Sequence, residues 1–123
     1  MANILVVDNA SFMRSSLKYI CEQAGHKVIG TGADGREAIR LHKELKPDIV
    51  TMDILMEEMD GIEALEEIRK EDPSAKVLMV TALGQEAKQE EAKRLGAAGY
   101  IRKPFKADDI TKEIERVMGK PPL

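Results

Sequence analysis

The sequence predicts a single α/β domain of the (βα)5 type, a doubly wound sheet of five parallel strands. Short apolar runs alternate with helical patterns along the whole chain. These runs are apolar at every position, which is typical of strands covered by helices on both faces. A length of 123 residues suits one domain, so we predict one domain over residues 1–123.

The apolar runs predict five strands, and helices are expected between them. The strands are placed at residues 4–7, 28–29, 49–52, 77–80 and 100–101. Apolar residues at helical spacing mark three of the helices: Met13, Leu17, Ile20 and Ala24 in the first, Ile62, Leu65 and Ile68 in the third, and Ile110, Ile114 and Val117 in the fifth.

Boundary residues and weak segments are also predicted. Ser11 can cap the first helix, and Asp34 with Glu37 resembles a capping box before the second. The fourth helix, about residues 86–95, has a thin apolar face, so we expect it to be the least firmly anchored. Residues 119–123 are predicted to be a frayed tail.

Composition argues against several classes of protein. A net charge of −3 with only two Tyr and two Phe disfavours a nucleic-acid surface. No apolar run approaches the ~18 residues of a membrane span and no signal-peptide pattern is present, so we expect a cytoplasmic protein without membrane insertion. Cys21 is expected to be a buried thiol, and His26 and His42 to be surface residues.

Polar side chains follow four of the predicted strands. Asp8 and Asn9 follow the first, Asp53 the third, Thr81 the fourth and Lys103 the fifth. Open α/β sheets bind ligands beyond the carboxyl ends of their strands, so these residues are expected to line one crevice.

The chemistry of this set favours phosphoryl transfer to Asp53. A carboxylate is ionised at pH 7 and can attack phosphorus without a general base. The negative charge of the transferring group then needs neutralisation, which Asp8 with a bound cation, Lys103 and Thr81 could supply. Few carboxylates and only oxygen ligands suit Mg²⁺.

Five segments together resemble the response-regulator receiver family. They are residues 6–14 (VVDNASFMR), 51–53 (TMD), 59–61 (MDG), 80–82 (VTA) and 103–105 (KPF), and the resemblance covers the whole chain. The local sequence around Asp53 further resembles that of the free-standing chemotaxis receivers of the CheY type, and so does the segment 81–85. The resemblance implies a flavodoxin-like strand order, 2-1-3-4-5.

The resemblance also implies roles for the metal and phosphoryl ligands. Asp53 would accept a phosphoryl group from a histidine kinase or a small phosphodonor, with Mg²⁺ held by Asp8, Asn9, Asp53 and the backbone carbonyl of Leu55. Lys103 would pair with the phosphate, and the peptide bond before Pro104 is expected to be cis.

A switch and a set of partners follow from the same resemblance. Thr81 and Ala82 would contact the phosphoryl group, and Tyr100 would pack inward as the Thr81 hydroxyl moves. The surface made by the fourth helix, the fifth strand and the fifth helix would then change. The expected partners are a histidine kinase, an output protein such as a flagellar motor switch component, and a phosphatase. The protein itself is expected to be a monomer.

Two residues depart from the family pattern. Asn9 stands where the family usually has a second acid, the one that contacts the metal directly, so weaker Mg²⁺ binding is predicted. Glu57 stands where proline is common, which leaves the loop after Asp53 less rigid and adds a negative charge near the site.

Three other functions compete with this interpretation of the sequence. A Mg²⁺-dependent phosphatase with an Asp nucleophile would have a second acid two residues on, where this chain has Leu55. A flavin carrier would need aromatic residues for stacking and a phosphate loop without Asp8. A receiver that binds proteins without being phosphorylated remains open, because Asn9 replaces a metal-ligating acid.

Overall fold

The computed structural model of the protein describes residues 1–82 and 84–119. Within them, five strands alternate with five helices in the order β1 (Asn3–Val7), α1 (Ser11–Gln23), β2 (Lys27–Gly32), α2 (Gly35–Leu45), β3 (Ile49–Asp53), α3 (Gly61–Glu71), β4 (Val77–Thr81), α4 (Glu86–Arg94), β5 (Gly99–Arg102) and α5 (Ala107–Val117). The predicted tail residues 120–123, and Leu83 within the segment 81–85, lie outside the described residues.

All strand pairs are parallel, in the order β2-β1-β3-β4-β5. The chain therefore folds as the predicted flavodoxin-like (βα)5 domain. Every residue of β3 and β4 is buried, which explains why these strands are apolar at nearly every position.

Alternate residues along each central strand enter two separate cores. Leu5, Val7 and Met52 face one core, which α2, α3 and α4 complete, whereas Ile4 and Val6 face the other, which α1 and α5 complete. The sheet is thus covered on both sides, and its carboxyl-terminal edge is held at fixed positions by two packed layers.

Helix starts differ in detail from the sequence prediction. Ser11 does not cap α1: the N-cap is Ala10, without a side-chain hydrogen bond, because the Asp8 carboxylate accepts the Ala10 N–H at 2.9 Å and forms the turn before the helix. Asp34 does cap α2 by accepting the Glu37 N–H at 2.9 Å. The Glu37 carboxylate accepts a hydrogen bond from the N–H of Ala33, the residue before the Asp34 cap.

The fourth helix has a narrow apolar face, as predicted. Among the residues of α4, Ala92 is the buried one, so few apolar contacts anchor the helix. None of the helices in the described ranges has the length and the apolar character that crossing a membrane requires.

His26 is buried, which corrects the expectation that it lies on the surface. It is 8% exposed, and its Nδ1 accepts the backbone N–H of Ala2 at 3.0 Å. Because the chain turns from α1 into β2 beside the amino terminus, this imidazole connects two segments that are distant in sequence. His42 is half-buried, and burial lowers its pKa.

Candidate functional site

Three of the predicted site residues meet at the carboxyl end of the sheet. Lys103 Nζ lies 3.3 Å from Asp8 Oδ2 and 3.5 Å from Asp53 Oδ2. Asp53 is the last residue of β3, while Asp8 and Lys103 directly follow β1 and β5. Parallel strands bring these ends together although 95 residues separate Asp8 from Lys103.

Asp8 is fully buried and is fixed by several hydrogen bonds. Its Oδ1 accepts the N–H of Ala10 at 2.9 Å and its backbone N–H donates to Gly32 at 3.0 Å. The guanidinium of Arg14 donates to the Asp8 carbonyl oxygen at 2.7 Å. The Asp8 carboxylate therefore has one defined orientation, with Oδ2 turned toward Lys103.

Asp53 is 7% exposed, and this burial changes its acidity. Burial and the adjacent charge of Asp8 raise the pKa of Asp53 from 3.8 to about 6, while the Lys103 ammonium opposes the rise. At pH 7 the Asp53 carboxylate is therefore ionised and only partly neutralised. Such a group attracts a further cation and is a nucleophile without any proton removal.

Thr81 and Lys103 are joined through the backbone. The Lys103 N–H donates to the Thr81 carbonyl oxygen at 2.7 Å, and the Lys103–Pro104 peptide bond is cis. Thr81 ends β4 one residue past Val80, the residue paired with Asp53, and is 3% exposed. Residues from three adjacent strand ends thus border the same space.

The segment that follows Asp53, residues 54–60, is held close to its strand. The Gly61 N–H donates to the Ile54 carbonyl oxygen at 2.8 Å, and the Gly35 N–H donates to the Met59 carbonyl oxygen at 3.0 Å. A Cβ atom on Gly61 would lie 2.1 Å from the Asp53 carbonyl oxygen, so only glycine fits there. Glycine at this position lets α3 begin directly against the Asp53 backbone.

Asp60 connects this segment to two helices. Its Oδ1 accepts the Glu63 N–H at 2.9 Å and so caps α3, while its Oδ2 lies 3.6 Å from Lys88 Nζ on α4. Within the same segment, Glu57 is exposed and Glu58 has a positive φ of 65°. The loop is therefore anchored at its ends and open to solvent in its middle.

The oxygen atoms at this site fit a hard divalent cation with few protein charges. Asn9 follows Asp8 and Leu55 lies two residues after Asp53, and both are exposed, so the amide and backbone carbonyl expected as further ligands lie in the two segments that border the carboxylates. Within residues 1–82 and 84–119, no group of three or more His, Cys, Asp and Glu side chains is arranged to hold a metal. The two carboxylates of Asp8 and Asp53 are hard oxygen donors, which suit Mg²⁺ with water completing its coordination.

Tyr100 lies at the sheet edge, half-buried against the core that α2, α3 and α4 complete. Its hydroxyl is shielded from solvent and has no hydrogen-bond partner in the described part of the chain. Burial, with the charge of Glu90, raises its pKa. Ala82, the remaining predicted contact, is exposed just after β4.

Sequence reasoning assigned no role to two residues that position this site. Arg14 was part of a family motif, yet nothing in its spacing showed that it holds the Asp8 carbonyl. Gly61 follows Asp60 at a helix start, and a glycine at a first helical position is a signal of close approach that could have been used.

Comparison with known proteins gives the family. Residues 4–115 match the family described as the response regulator receiver domain. The chain is 49% identical to the chemotaxis protein CheY of Thermotoga maritima over 93% of its own length and 95% of that protein, and 45% identical to CheY of Listeria monocytogenes over 94% and 98%.

A solved structure agrees with this match. The CheX–CheY–BeF3–Mg²⁺ complex of Borrelia burgdorferi superposes with a TM-score of 0.91 at 37% identity, covering 96% of this chain and 90% of that chain. Receiver domains are signalling proteins of two-component systems and not conventional enzymes. By sequence and by fold, the chain belongs to the response regulator receiver domain family, with a CheY relative that matches 93% of its length.

Proposed function

We propose that Asp53 is the residue that accepts the phosphoryl group, with a histidine kinase or a small acyl phosphate as the donor. The arrangement of Asp8, Asp53 and Lys103, with distances of 3.3 and 3.5 Å, is the observation that carries this proposal. An isolated strand-end aspartate would be an ordinary turn residue. A buried one, beside a second carboxylate and a lysine, is suited to receive a charged group.

The transfer requires no proton removal from Asp53. One of its carboxylate oxygens forms the new bond to phosphorus as the bond between phosphorus and the donor atom breaks, and the donor departs with that electron pair. Lys103 neutralises charge on the phosphoryl oxygens, and Thr81, on the adjacent strand end, offers a hydroxyl as a hydrogen-bond donor.

Mg²⁺ would be held by Asp8, Asp53, the Leu55 carbonyl and Asn9. When bound, it neutralises the charge that develops on the transferred group. The related complex from Borrelia burgdorferi contains both BeF3 and Mg²⁺, which supports this assignment. Asn9 brings no charge, so the affinity for Mg²⁺ is expected to be lower than with an acid at this position.

The signal would pass to a protein partner in the cytoplasm. Because the Tyr100 hydroxyl is already shielded from solvent, we expect phosphorylation to move Thr81 and to stabilise Tyr100 in this inward position, which changes the surface of α4, β5 and α5. The weak anchoring of α4 and the unpaired Tyr100 hydroxyl support this, because little holds either in one state. The CheY relatives favour a chemotaxis role, with a flagellar motor switch component as the output partner and a phosphatase that ends the signal.

A second candidate function is binding without phosphorylation. It is favoured by Asn9, which leaves the site with two carboxylates beside one lysine. In this case the protein would bind its output partner in one permanent state.

One experiment separates the two functions. The protein is incubated with acetyl phosphate and Mg²⁺ and its intact mass is measured, with Asp53→Asn and Asn9→Asp variants in parallel. We expect one added phosphoryl group in the wild type, more of it in Asn9→Asp, and none in Asp53→Asn. Addition in Asn9→Asp alone would support the second function, and addition to neither would remove Asp53 as the acceptor.

A further inference from the structure

Strand β5 forms one edge of the sheet. In the described ranges it pairs with β4 alone, so its other side faces no strand. An edge strand presents backbone N–H and C=O groups with which another extended chain can pair, and proteins commonly block such edges with charged side chains.

Two side chains of α5 occupy the outward backbone groups of this edge. Glu113 Oε2 accepts the Tyr100 N–H at 3.0 Å, and Arg116 Nη2 donates to the Ala98 carbonyl oxygen at 2.9 Å. The same two side chains are joined by two hydrogen bonds of 2.8 and 2.9 Å. The Glu113 carboxylate and the Arg116 guanidinium, held together by a bidentate ion pair, thus make the hydrogen bonds that the backbone of a neighbouring strand would make.

Gly99 makes room for this pair. A Cβ atom at residue 99 would lie 2.3 Å from Glu113 Oε2 and 2.4 Å from Arg116 Nη2. The Glu113 side chain is 19% exposed, whereas both members of the ordinary surface pair Lys70–Glu67 are at least 50% exposed. The Arg116 side chain is 58% exposed, so Glu113 is the member of the pair that packs into the edge, and the two backbone hydrogen bonds hold the pair over it.

The covered groups are self-complementary. The outward acceptor and donor belong to the residues on either side of Gly99. Suppose that two copies pair their β5 strands antiparallel about a twofold axis, with Gly99 of one copy opposite Gly99 of the other. Each Tyr100 N–H would then donate to the Ala98 carbonyl of the other copy. These two hydrogen bonds are the ones that flank a non-hydrogen-bonded pair in an antiparallel sheet. An open groove of about 570 Å³, lined partly by Tyr100, Glu113 and Arg116, runs beside this edge.

We infer that β5 is a latent self-association surface and that Glu113 and Arg116, lying over Gly99, form an edge cap that closes it. A second copy of this chain would take the place of the cap, pairing β5 with β5 into one continuous sheet. The cap keeps the protein monomeric, and its removal converts the edge into a dimer interface.

Sedimentation velocity over a concentration series tests this inference. We expect the Glu113→Ala/Arg116→Ala variant to move from monomer to twice the monomer mass as its concentration rises. The wild type and a matched control, Glu67→Ala/Lys70→Ala, which removes an exposed pair of the same spacing on α3, should stay monomeric. Adding Tyr100→Pro to the first variant removes the outward N–H and should restore the monomer.

Gly99→Ala gives an independent route, since it displaces the cap while keeping both charges. It should also dimerise, and either variant serves if the other lacks a native circular dichroism spectrum. A folded variant that stays monomeric throughout would overturn the inference. So would dimerisation of the control, dimerisation of the capped wild type through β5, or a dimer that survives Tyr100→Pro.

Discussion

A Cβ atom placed on Gly61 would lie 2.1 Å from the backbone carbonyl oxygen of Asp53. Helix α3 can start at this place because glycine has no side chain. The same close approach fixes the position of Asp53, the residue that we propose accepts the phosphoryl group. Because the atom in the way belongs to the backbone, the clash cannot be relieved by turning a side chain.

Gly61→Ala is therefore expected to lower the free energy of unfolding by about 2 to 3 kcal/mol, as substitutions that insert extra atoms into a packed core commonly do. This loss is expected even though alanine is a better helix former than glycine. Urea unfolding measures this. Gly30→Ala is the control, because its Cβ would meet mainly the flexible end of Leu45, at 2.7 Å. If the two variants lost equal stability, the close approach at Gly61 would have no special energetic weight.

The acidity of Asp53 predicts a pH-dependent gain in stability for Asp53→Asn in metal-free buffer. The pKa of Asp53 is raised to about 6 in the folded protein, so the fold holds this proton more tightly than the unfolded chain. Protonation of Asp53 therefore stabilises the fold. This contribution is complete below the pKa of about 4 that Asp53 has in the unfolded chain, and it is lost as the pH rises through its folded pKa of about 6.

The variant should match the wild type near pH 4 and exceed it by about 2 to 3 kcal/mol above pH 6.5. Urea unfolding at a series of pH values checks this. A difference that is constant with pH would show that burial does not shift Asp53.

Replacing Asn9 with Asp is expected to tighten Mg²⁺ binding by at least about tenfold, because it adds a unit charge beside a divalent cation. Isothermal titration calorimetry measures the affinity. An Asn3→Asp variant adds the same charge at the other end of β1 and should leave the affinity unchanged. Equal affinities for wild type and Asn9→Asp would mean that residue 9 does not contact the metal.

Thr51 lies in the middle of β3, fully buried, and its hydroxyl has no hydrogen-bond partner in the described part of the chain. Thr51→Val removes this unpaired group at nearly constant volume, so we expect a gain of about 1 kcal/mol. Thermal unfolding reports the change. Thr111→Val, which removes a hydroxyl bonded to the Asp108 carbonyl, should give no such gain. A loss of stability in Thr51→Val would reveal a partner for the Thr51 hydroxyl.

Burial raises the pKa of the Cys21 thiol to about 11, so only about one molecule in a thousand carries a thiolate at pH 8. Iodoacetamide should therefore leave Cys21 unmodified in the native protein and label it completely in urea. Mass spectrometry follows the reaction. Labelling of the native protein at the rate of a free thiol would contradict the burial of this side chain.

The strands and helices could be predicted because their sequence signals are local, whereas the strand order was implied by the family resemblance. Strands β3 and β4 are buried on both faces, and such strands are apolar at nearly every position. The meeting of Asp8, Asp53 and Lys103 could also be predicted, since parallel strands end at one edge of the sheet.

Contacts that depend on the path of a loop or on side-chain reach could not be predicted. His26 follows a helix end and looks exposed in sequence, yet it packs against Ala2. Glu113 has no prediction attached to it, because nothing in its spacing shows that it bonds the Tyr100 backbone. Distances of this kind are set by tertiary packing, which periodicity does not encode.

The hydrogen bonds of residues 54–60 determine how this segment can move. It is tied to α2 at Gly35, to the start of α3 by the bond from the Gly61 N–H to the Ile54 carbonyl, and to α4 through Asp60 and Lys88. No rigid-body displacement of the whole segment is possible without breaking at least one of these three attachments. A displacement of Asp60 would therefore act on two helices at once, because this carboxylate caps α3 and pairs with Lys88 on α4.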